Sequence, residues 1–506
     1  MTKLFGMLLL LLLQTGSAAA PPASAPAAPA APTVAPPPAA APAVAPPVET
    51  LEFGRFGKIP TYHPAGPPTQ VALLLSGEPE GSPAMAKMAA ALTARGALVI
   101  GVPLPHYLAA LAKSTAYCTV PAADFEVLAH YAEQKLGVAN YVVPFLVGDP
   151  SAGTLAFITL VQAPANTFAG AISFGFCPKV VFPRPLCPGD GLRWDQKDKE
   201  KEMLLLPAPA LENPWIVLPG TGEPECPVQN LREFAAKMAP ATVLPPPDPA
   251  PAGEEGWRPR FEKALAILDD KRRQDEAAAG AKGGPLADLP LIELPVPTTT
   301  RDLLVVMVSG DGGWLGLDRR LGNQLSANQG LPVVGINSLK YFWTRKSPET
   351  AAADLARILD HYLEAWGKKG AILIGYSQGA DVLPFMVDRL PARLKPKVKE
   401  IVLVGPDAGA NFDFNFAAYM SGREQRPELP VAPEIARVKS FKVLCVYGVR
   451  EEDPLCKKLK PGLTIPVVLR SGHGFVMDND RLIARILEEA GMQVMAPGTA
   501  VKAGPP

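Results

Sequence analysis

Ser377 stands in Gly375-Tyr376-Ser377-Gln378-Gly379, directly after the apolar run Ile372-Leu373-Ile374 and before Ala380-Asp381-Val382-Leu383. A strand, a sharp glycine-flanked turn and a helix in that order lift a serine hydroxyl above a sheet edge, where it can attack an acyl carbon. A serine hydroxyl is a weak nucleophile and needs a base. Of the five histidines, His63 lies in a Pro-rich stretch, His106 and His130 lie in the first half, and His361 falls on the polar side of a helical pattern. His473 differs: Ser471-Gly472-His473-Gly474-Phe475 follows the strand pattern Ile465 to Leu469 and precedes a helical pattern near Arg481 to Ala490. A glycine-flanked loop after the last strand is where such a serine finds its base. An acid should lie between the two in the chain and hold the imidazole in the useful tautomer. The strand pattern Phe441 to Tyr447 runs through Gly448 into Val449-Arg450-Glu451-Glu452-Asp453. Asp453 is the first choice, and Glu451, three residues past the glycine, is its rival. The developing oxyanion needs two N–H donors, expected from Gln378 and from the loop Ser309-Gly310-Asp311-Gly312-Gly313-Trp314 at Asp311.

These residues need a scaffold, and the scaffold pattern is written twice. Val71 to Ser76 with Gly77-Glu78, and Leu304 to Ser309 with Gly310-Asp311, are apolar strands ending in Ser-Gly-acid. Each is followed by a second strand (Ala97 to Val102, Leu331 to Ile336), a Tyr-apolar pair (Tyr107-Leu108, Tyr341-Phe342) and a helix carrying Ala-Asp (Ala123-Asp124, Ala353-Asp354) and His-Tyr (His130-Tyr131, His361-Tyr362). A third strand then ends in glycine at Gly148 and Gly375. Shared order of this length predicts a duplication. The strands are continuous apolar runs separated by helical patterns, which predicts parallel sheets covered on both faces. Leu355, Ile358, Leu359, Tyr362, Leu363 and Trp366 form one helical stripe. The expected fold is α/β: two tandem α/β-hydrolase-like domains, each a mostly parallel sheet with helices on both faces, the first degenerate. In the first copy Gly148-Asp149-Pro150-Ser151 puts Pro150 where the second has Ser377, and Val243-Leu244 leads into prolines rather than a histidine.

The chain has 506 residues, with 49 Lys+Arg against 49 Asp+Glu, and this neutral balance excludes a strongly basic nucleic-acid binder. Met1 to Ala20 combines a lysine, a short apolar run and Ala18-Ala19-Ala20, the pattern of a cleaved signal peptide directing a protein to the periplasm. Residues 21–49 are an Ala/Pro-rich spacer, 50–245 the degenerate domain, 246–290 a linker with a short helix over Phe261 to Ala279, 291–494 the catalytic domain and 495–506 a tail. Cys118, Cys177, Cys187 and Cys226 fall in the first copy and Cys445 and Cys456 in the second, an even count in each that fits disulfides. Four cysteines allow three pairings. No dinucleotide fingerprint, P-loop or zinc spacing is present, so neither cofactor nor metal is expected.

The second copy resembles the VirJ/AcvB family of exported bacterial virulence proteins. The resemblance rests on Ser309 to Trp314, Tyr341-Phe342-Trp343, Gly375 to Val382, Tyr447-Gly448 with the following acids and Cys456, and Gly472-His473. The doubled architecture is similar to the two-domain AcvB type, and the chain departs from the pattern at Pro150 and Gly474. The resemblance implies a periplasmic serine hydrolase with Ser377 and His473 at its centre. It further implies cleavage of the aminoacyl ester of an aminoacylated anionic phospholipid, lysyl-phosphatidylglycerol foremost, with a link to secretion-system proteins as the alternative; a general exported esterase or lipase is the remaining reading. Lys340 and Arg345, with Lys346, would meet the lipid phosphate.

Overall fold

The computed structural model describes residues 49–495 apart from 80–81, 116, 165, 196–201, 209–210, 221–225, 247–255, 281–283, 297–298, 415–428, 474 and 476–477. The expected signal peptide, the Ala/Pro spacer up to residue 48, residues 496–506 of the tail, and Gly474 lie outside the described residues.

The first lobe contains the strands β1 (Glu49–Phe53), β2 (Gly57–Tyr62), β3 (Gln70–Ser76), β4 (Ala97–Pro103), β5 (Phe145–Gly148) and β6 (Ala171–Phe174). A small side sheet follows, made of β7 (Lys179–Val181), β8 (Arg193–Asp195) and β9 (Glu202–Leu206), and then β10 (Trp215–Leu218) and β11 (Ala241–Val243) complete the main sheet. Its helices are α1 (Pro83–Thr93), α2 (Leu104–Ala112), α3 (Pro121–Lys135), α4 (Gly153–Gln162), α5 (Val228–Ala235) and α6 (Arg258–Gly280). The second lobe has β12 (Leu291–Leu294), β13 (Leu303–Val308), β14 (Val333–Ile336), β15 (Gly370–Tyr376), β16 (Val398–Val404), a two-stranded ribbon of β17 (Gly409–Ala410) and β18 (Leu429–Pro430), β19 (Val443–Gly448) and β20 (Ile465–Leu469). Its helices are α7 (Gly316–Asn323), α8 (Ser338–Tyr341), α9 (Pro348–Ala365), α10 (Gln378–Asp388), α11 (Val431–Arg437), α12 (Leu455–Lys458) and α13 (Asn479–Glu489).

The two main sheets repeat one topology. The first runs β1-β2-β4-β3-β5-β6-β10-β11 and the second β12-β14-β13-β15-β16-β19-β20. Apart from the extra edge strand β1, both read as one antiparallel edge strand followed by six parallel strands. Period-two alternation explains the continuous apolar runs. In β13, Leu304, Val306 and Val308 enter the core on one face of the sheet. Val305 and Met307 enter the core on the other. Helix α9 starts where Ser347 Oγ accepts the Thr350 N–H at 3.1 Å with Pro348 in its first turn, and it buries Leu355, Ile358, Leu359 and Tyr362.

The repeated Tyr and Asp of the two copies are structural partners. Tyr107 Oη donates to Asp124 at 2.9 Å and Tyr341 Oη to Asp354 at 2.6 Å. An arginine completes each pair: Arg55 at 3.1 Å from Asp124 and Arg357 at 2.9 Å from Asp354. Part of the expected linker is instead a layer of the first lobe. Helix α6 buries Phe261, Ala264, Leu265 and Leu268 in that lobe's core. Its Asp269 accepts from Gln70 at 2.9 Å, and its Glu262 from Arg95 at 2.9 Å. The short helix expected over Phe261 to Ala279 is α6, but the Pro- and Gly-rich composition on either side did not show that it packs into the lobe's core.

Candidate active site

Strand β15 runs into α10 through a turn on which Ser377 takes φ 51° and ψ −122°. This is a strained conformation for a residue with a side chain. Both flanking glycines are required by close approach. A Cβ on Gly375 would run into the carbonyl of Gly379, and one on Gly379 into the carbonyl of Val308. The turn therefore presses the serine backbone against two strands and leaves its hydroxyl at the carboxyl edge of the sheet.

His473 Nε2 lies 3.1 Å from Ser377 Oγ, and His473 Nδ1 lies 2.8 Å from Glu451 Oε1. The other carboxylate oxygen of Glu451 accepts the Gly448 N–H at 3.1 Å, which fixes the acid at the end of β19. Asp453, the first choice from sequence, is elsewhere: its side chain is 75% exposed and pairs with Lys458. The turn after Gly448 brings its third residue back over the strand end, as the Glu451 N–H to Gly448 carbonyl bond of 3.1 Å shows, and carries the fifth residue outward. The imidazole rests on Gly405, whose φ is 61° and where a Cβ would lie 2.8 Å from His473 Cε1. Tyr376 Oη donates to the His473 carbonyl at 3.2 Å. The hydrogen bond to Glu451 raises the His473 pKa above its ordinary value; burial opposes this, and the charges of Glu451, Asp407 and Asp311 add to it. Gly405 and Asp407 were missed from sequence. The only signal for them was Gly405-Pro406-Asp407 at the end of a parallel strand, the edge at which ligands bind.

The oxyanion loop is clamped beside the elbow. Ser338 Oγ donates to the Ser309 carbonyl at 2.6 Å, while Ser309 Oγ accepts the Ser338 N–H at 2.9 Å. Buried Asp318 accepts the Gly310 N–H at 3.3 Å. A Cβ on Gly310 would stand 3.5 Å from Ser377 Cβ, so the backbone of Gly310 and Asp311 passes directly beside Ser377. Gln378 is the first residue of α10, a position whose N–H has no acceptor within the helix.

Lys340 and Arg345 are not brought together. Lys340 faces Glu133 of the first lobe; burial lowers its pKa and the Glu133 charge raises it. Arg345 lines a cleft of about 750 Å³ with Lys346, Arg389, Arg437 and an apolar floor including Phe385 and Phe412.

Among its described residues the first lobe shows no such arrangement. Gly148 approaches the carbonyl of Ala152 as Gly375 approaches that of Gly379, so the two elbows register with Pro150 in the place of Ser377. Ser151 is locked by its neighbours: its Oγ donates to Asp149 at 2.5 Å and accepts the Gly77 N–H at 2.8 Å. Glu223, which follows Gly220 after β10 as Glu451 follows Gly448 at the end of β19, lies outside the described residues.

The family model described as Bacterial virulence protein (VirJ) matches residues 302–494. The match lies within the second lobe. No curated protein matches this chain. Solved structures similar to it include Est1E from Butyrivibrio proteoclasticus, at 12% identity over 40% of this chain and 93% of that one, with a TM-score of 0.29. A lipase-esterase related protein from Clostridium acetobutylicum aligns at 13% identity over 39% of this chain and 98% of that one, with a TM-score of 0.29. MenH from S. aureus aligns at 14% identity over 40% and 98%, with a TM-score of 0.28. All six cysteines are paired, as Cys118–Cys187, Cys177–Cys226 and Cys445–Cys456. Such bonds persist in oxidising compartments, and together with the VirJ match they are the marks of an extracellular or periplasmic protein. Among the described residues no group of His, Cys, Asp and Glu is arranged to hold a metal ion.

Proposed function

We propose that the chain is a periplasmic serine hydrolase, exported by a cleaved signal peptide, which cleaves the aminoacyl ester of an aminoacylated anionic phospholipid, lysyl-phosphatidylglycerol in the first place. The observation that carries the reading is the line Ser377 Oγ, His473 Nε2, His473 Nδ1, Glu451 Oε1, with spacings of 3.1 and 2.8 Å. Ser377 Oγ attacks the ester carbon as His473 Nε2 takes its proton, and Glu451 stabilises the imidazolium. The N–H groups of Gln378 and Asp311 receive the oxyanion. Collapse breaks the bond to the lipid oxygen, which leaves with the proton from His473. Water then attacks the acyl-serine with His473 again as base, releasing the amino acid and restoring the serine.

Two features support a cationic acyl group on an anionic lipid. Asp311 and Asp407 lie near enough to His473 for their charges to favour its protonated form, and the same field favours an ammonium. The cleft with Arg345 and Lys346 also holds Glu349 and Glu434, which pair with Arg389 and Arg437, and its cations over an apolar floor suit a phosphate and the first carbons of its chains. The test is lysine release from lysyl-phosphatidylglycerol liposomes. Wild type releases lysine, and Ser377→Ala and His473→Ala do not. Equal release by Ser377→Ala removes the mechanism. A folded protein that no fluorophosphonate labels points to a secretion accessory instead.

A further inference from the structure

Pro150 stands at the elbow of the first lobe, yet this lobe is joined to the second by directed contacts. On the second lobe these come from three places, each beyond the carboxyl end of a strand: α7 after β13, α8 with Trp343 after β14, and Phe414 after β16. Arg319 of α7 meets Glu212 at 2.9 Å and Asp190 at 3.3 Å. Trp343 Nε1 donates to the Val138 carbonyl at 2.8 Å, and Gln134 Nε2 at the end of α3 donates to the Phe414 carbonyl at 2.5 Å. Tyr141, Leu339, Trp343 and Phe414 form a buried cluster of their own, with the Trp343 and Phe414 rings stacked 5.6 Å apart. Ser377 and His473 stand at these same carboxyl ends, so the first lobe lies on the edge of the second sheet that bears the site.

The Phe414 contact leads directly to the elbow. Gln378, whose N–H is assigned to the oxyanion, uses its side-chain amide to donate to the Asn411 carbonyl at 3.3 Å and the Asp413 carbonyl at 3.1 Å. The Phe414 N–H donates to the Phe342 carbonyl at 2.7 Å. Residues 411–414 are therefore held on one side by the first residue of α10 and on the other by α3 of the first lobe. The apolar cluster supplies the adhesion, since exposed ion pairs such as Arg319–Glu212 contribute little. The hydrogen bonds set the register.

We propose that the degenerate lobe is a fixed cap that positions residues 411–414 as a wall of the substrate site, with Gln134 as its positioning residue. The proposal rests on the hydrolase reading above. It assigns the first lobe to substrate binding rather than to chemistry, because Gln134 reaches the wall and not the reacting groups.

The test uses the full chain with Gln134→Ala, which removes one donor, and Trp343→Phe, which keeps a ring in the cluster and loses the N–H. Hydrolysis of lysyl-phosphatidylglycerol in mixed micelles is followed at varied substrate, together with the rate of fluorophosphonate labelling of Ser377 and hydrogen exchange at the Phe414 amide. Each variant should raise KM by about fivefold, the effect of one lost hydrogen bond, with kcat and labelling within about twofold. Phe414 exchange should quicken in both. Folded variants with unchanged KM and unchanged exchange overturn the cap. So does a fall in kcat and labelling with KM unmoved, which would place Gln134 in the chemistry. If Gln134→Ala does not fold, Trp343→Phe decides. If neither folds, the wild-type amide decides: fast exchange there overturns the proposal. A wild type that neither labels nor releases lysine defeats the hydrolase reading alone, and the exchange measurement still judges the cap.

Discussion

Glu451 Oε1 lies 2.8 Å from His473 Nδ1, whereas Asp453, two residues on, pairs with Lys458 and points into solvent. Glu451→Gln should therefore lower kcat by about 10³–10⁴-fold, because an amide no longer enforces the tautomer or offsets the imidazolium charge. Asp453→Asn removes only an exposed ion pair and should leave kcat within about twofold. Side-by-side turnover numbers check both, and the reverse ranking would return the role to Asp453.

The pH profile follows from the same contact. His473 acts as a base only when neutral, and its pKa is raised, first by the hydrogen bond to Glu451. Activity should fall on the acid side through a pKa above the ordinary histidine value of about 6.5. In Glu451→Gln the residual activity should lose its acid limb at lower pH than wild type does. An unshifted limb would show that another group controls it.

Gly405 supports the imidazole, and a methyl group there meets the ring and is strained at φ 61°. Gly405→Ala should cost about 1–2 kcal/mol of stability, read as a lower Tm. It should cost more in turnover, about tenfold or greater, because the base is displaced from the hydroxyl. A stability loss with full turnover would mean that the ring is held by Glu451 alone.

Tyr107→Phe and Tyr341→Phe delete matching hydrogen bonds of 2.9 and 2.6 Å in the two lobes. Each should destabilise by about 1–2 kcal/mol, with its aspartate still held by the neighbouring arginine. Denaturant unfolding of the two single variants checks the equivalence. A large loss of turnover in Tyr341→Phe with unchanged stability would contradict a purely structural pair.

Glu400 on β16 is fully buried, neither of its carboxylate oxygens has a hydrogen-bond partner among the described residues, and burial pushes its pKa up to about 8. Lys442 and then Glu489, Lys399 and Arg485 are the charges around it. A carboxyl raised in the folded state is destabilising once the unfolded chain can ionise, so its contribution worsens as pH climbs from about 4.5 to about 8. Glu400→Gln should flatten that decline, giving a higher Tm than wild type at pH 9 and little difference at pH 4. Parallel Tm–pH curves would show that Glu400 is solvated.

Much of the site was legible because an elbow is a local object. Gly375 and Ser377 are set within one turn, Gly379 by the neighbouring strand's Val308, and His473 by the end of one strand, so spacing and glycines carry most of the signal. The acid was not settled by sequence because Glu451, Glu452 and Asp453 are chemically alike, and only the direction of the turn after Gly448 separates them. The doubled sheets were readable from continuous apolar strands. Helix α6 was half-seen, since its apolar face declares itself only against the sheet, at β6 and β10. Lys340 and Arg345 were grouped by nearness in the chain, but the end of α8 turns one toward Glu133 and leaves the other at the cleft.

The Tyr–Asp bond recurs in both lobes, with its arginine supplied from the turn between β1 and β2 in one and from α9 in the other, although Pro150 stands at one elbow and Ser377 at the other. A change that weakens the bond is punished in either lobe, while a change at the elbow is punished in one alone. Within this single polypeptide, likeness between the halves thus marks what must stand for any such layer to hold its shape. Unlikeness, at Pro150 against Ser377, marks where the two halves differ in what their elbows can present.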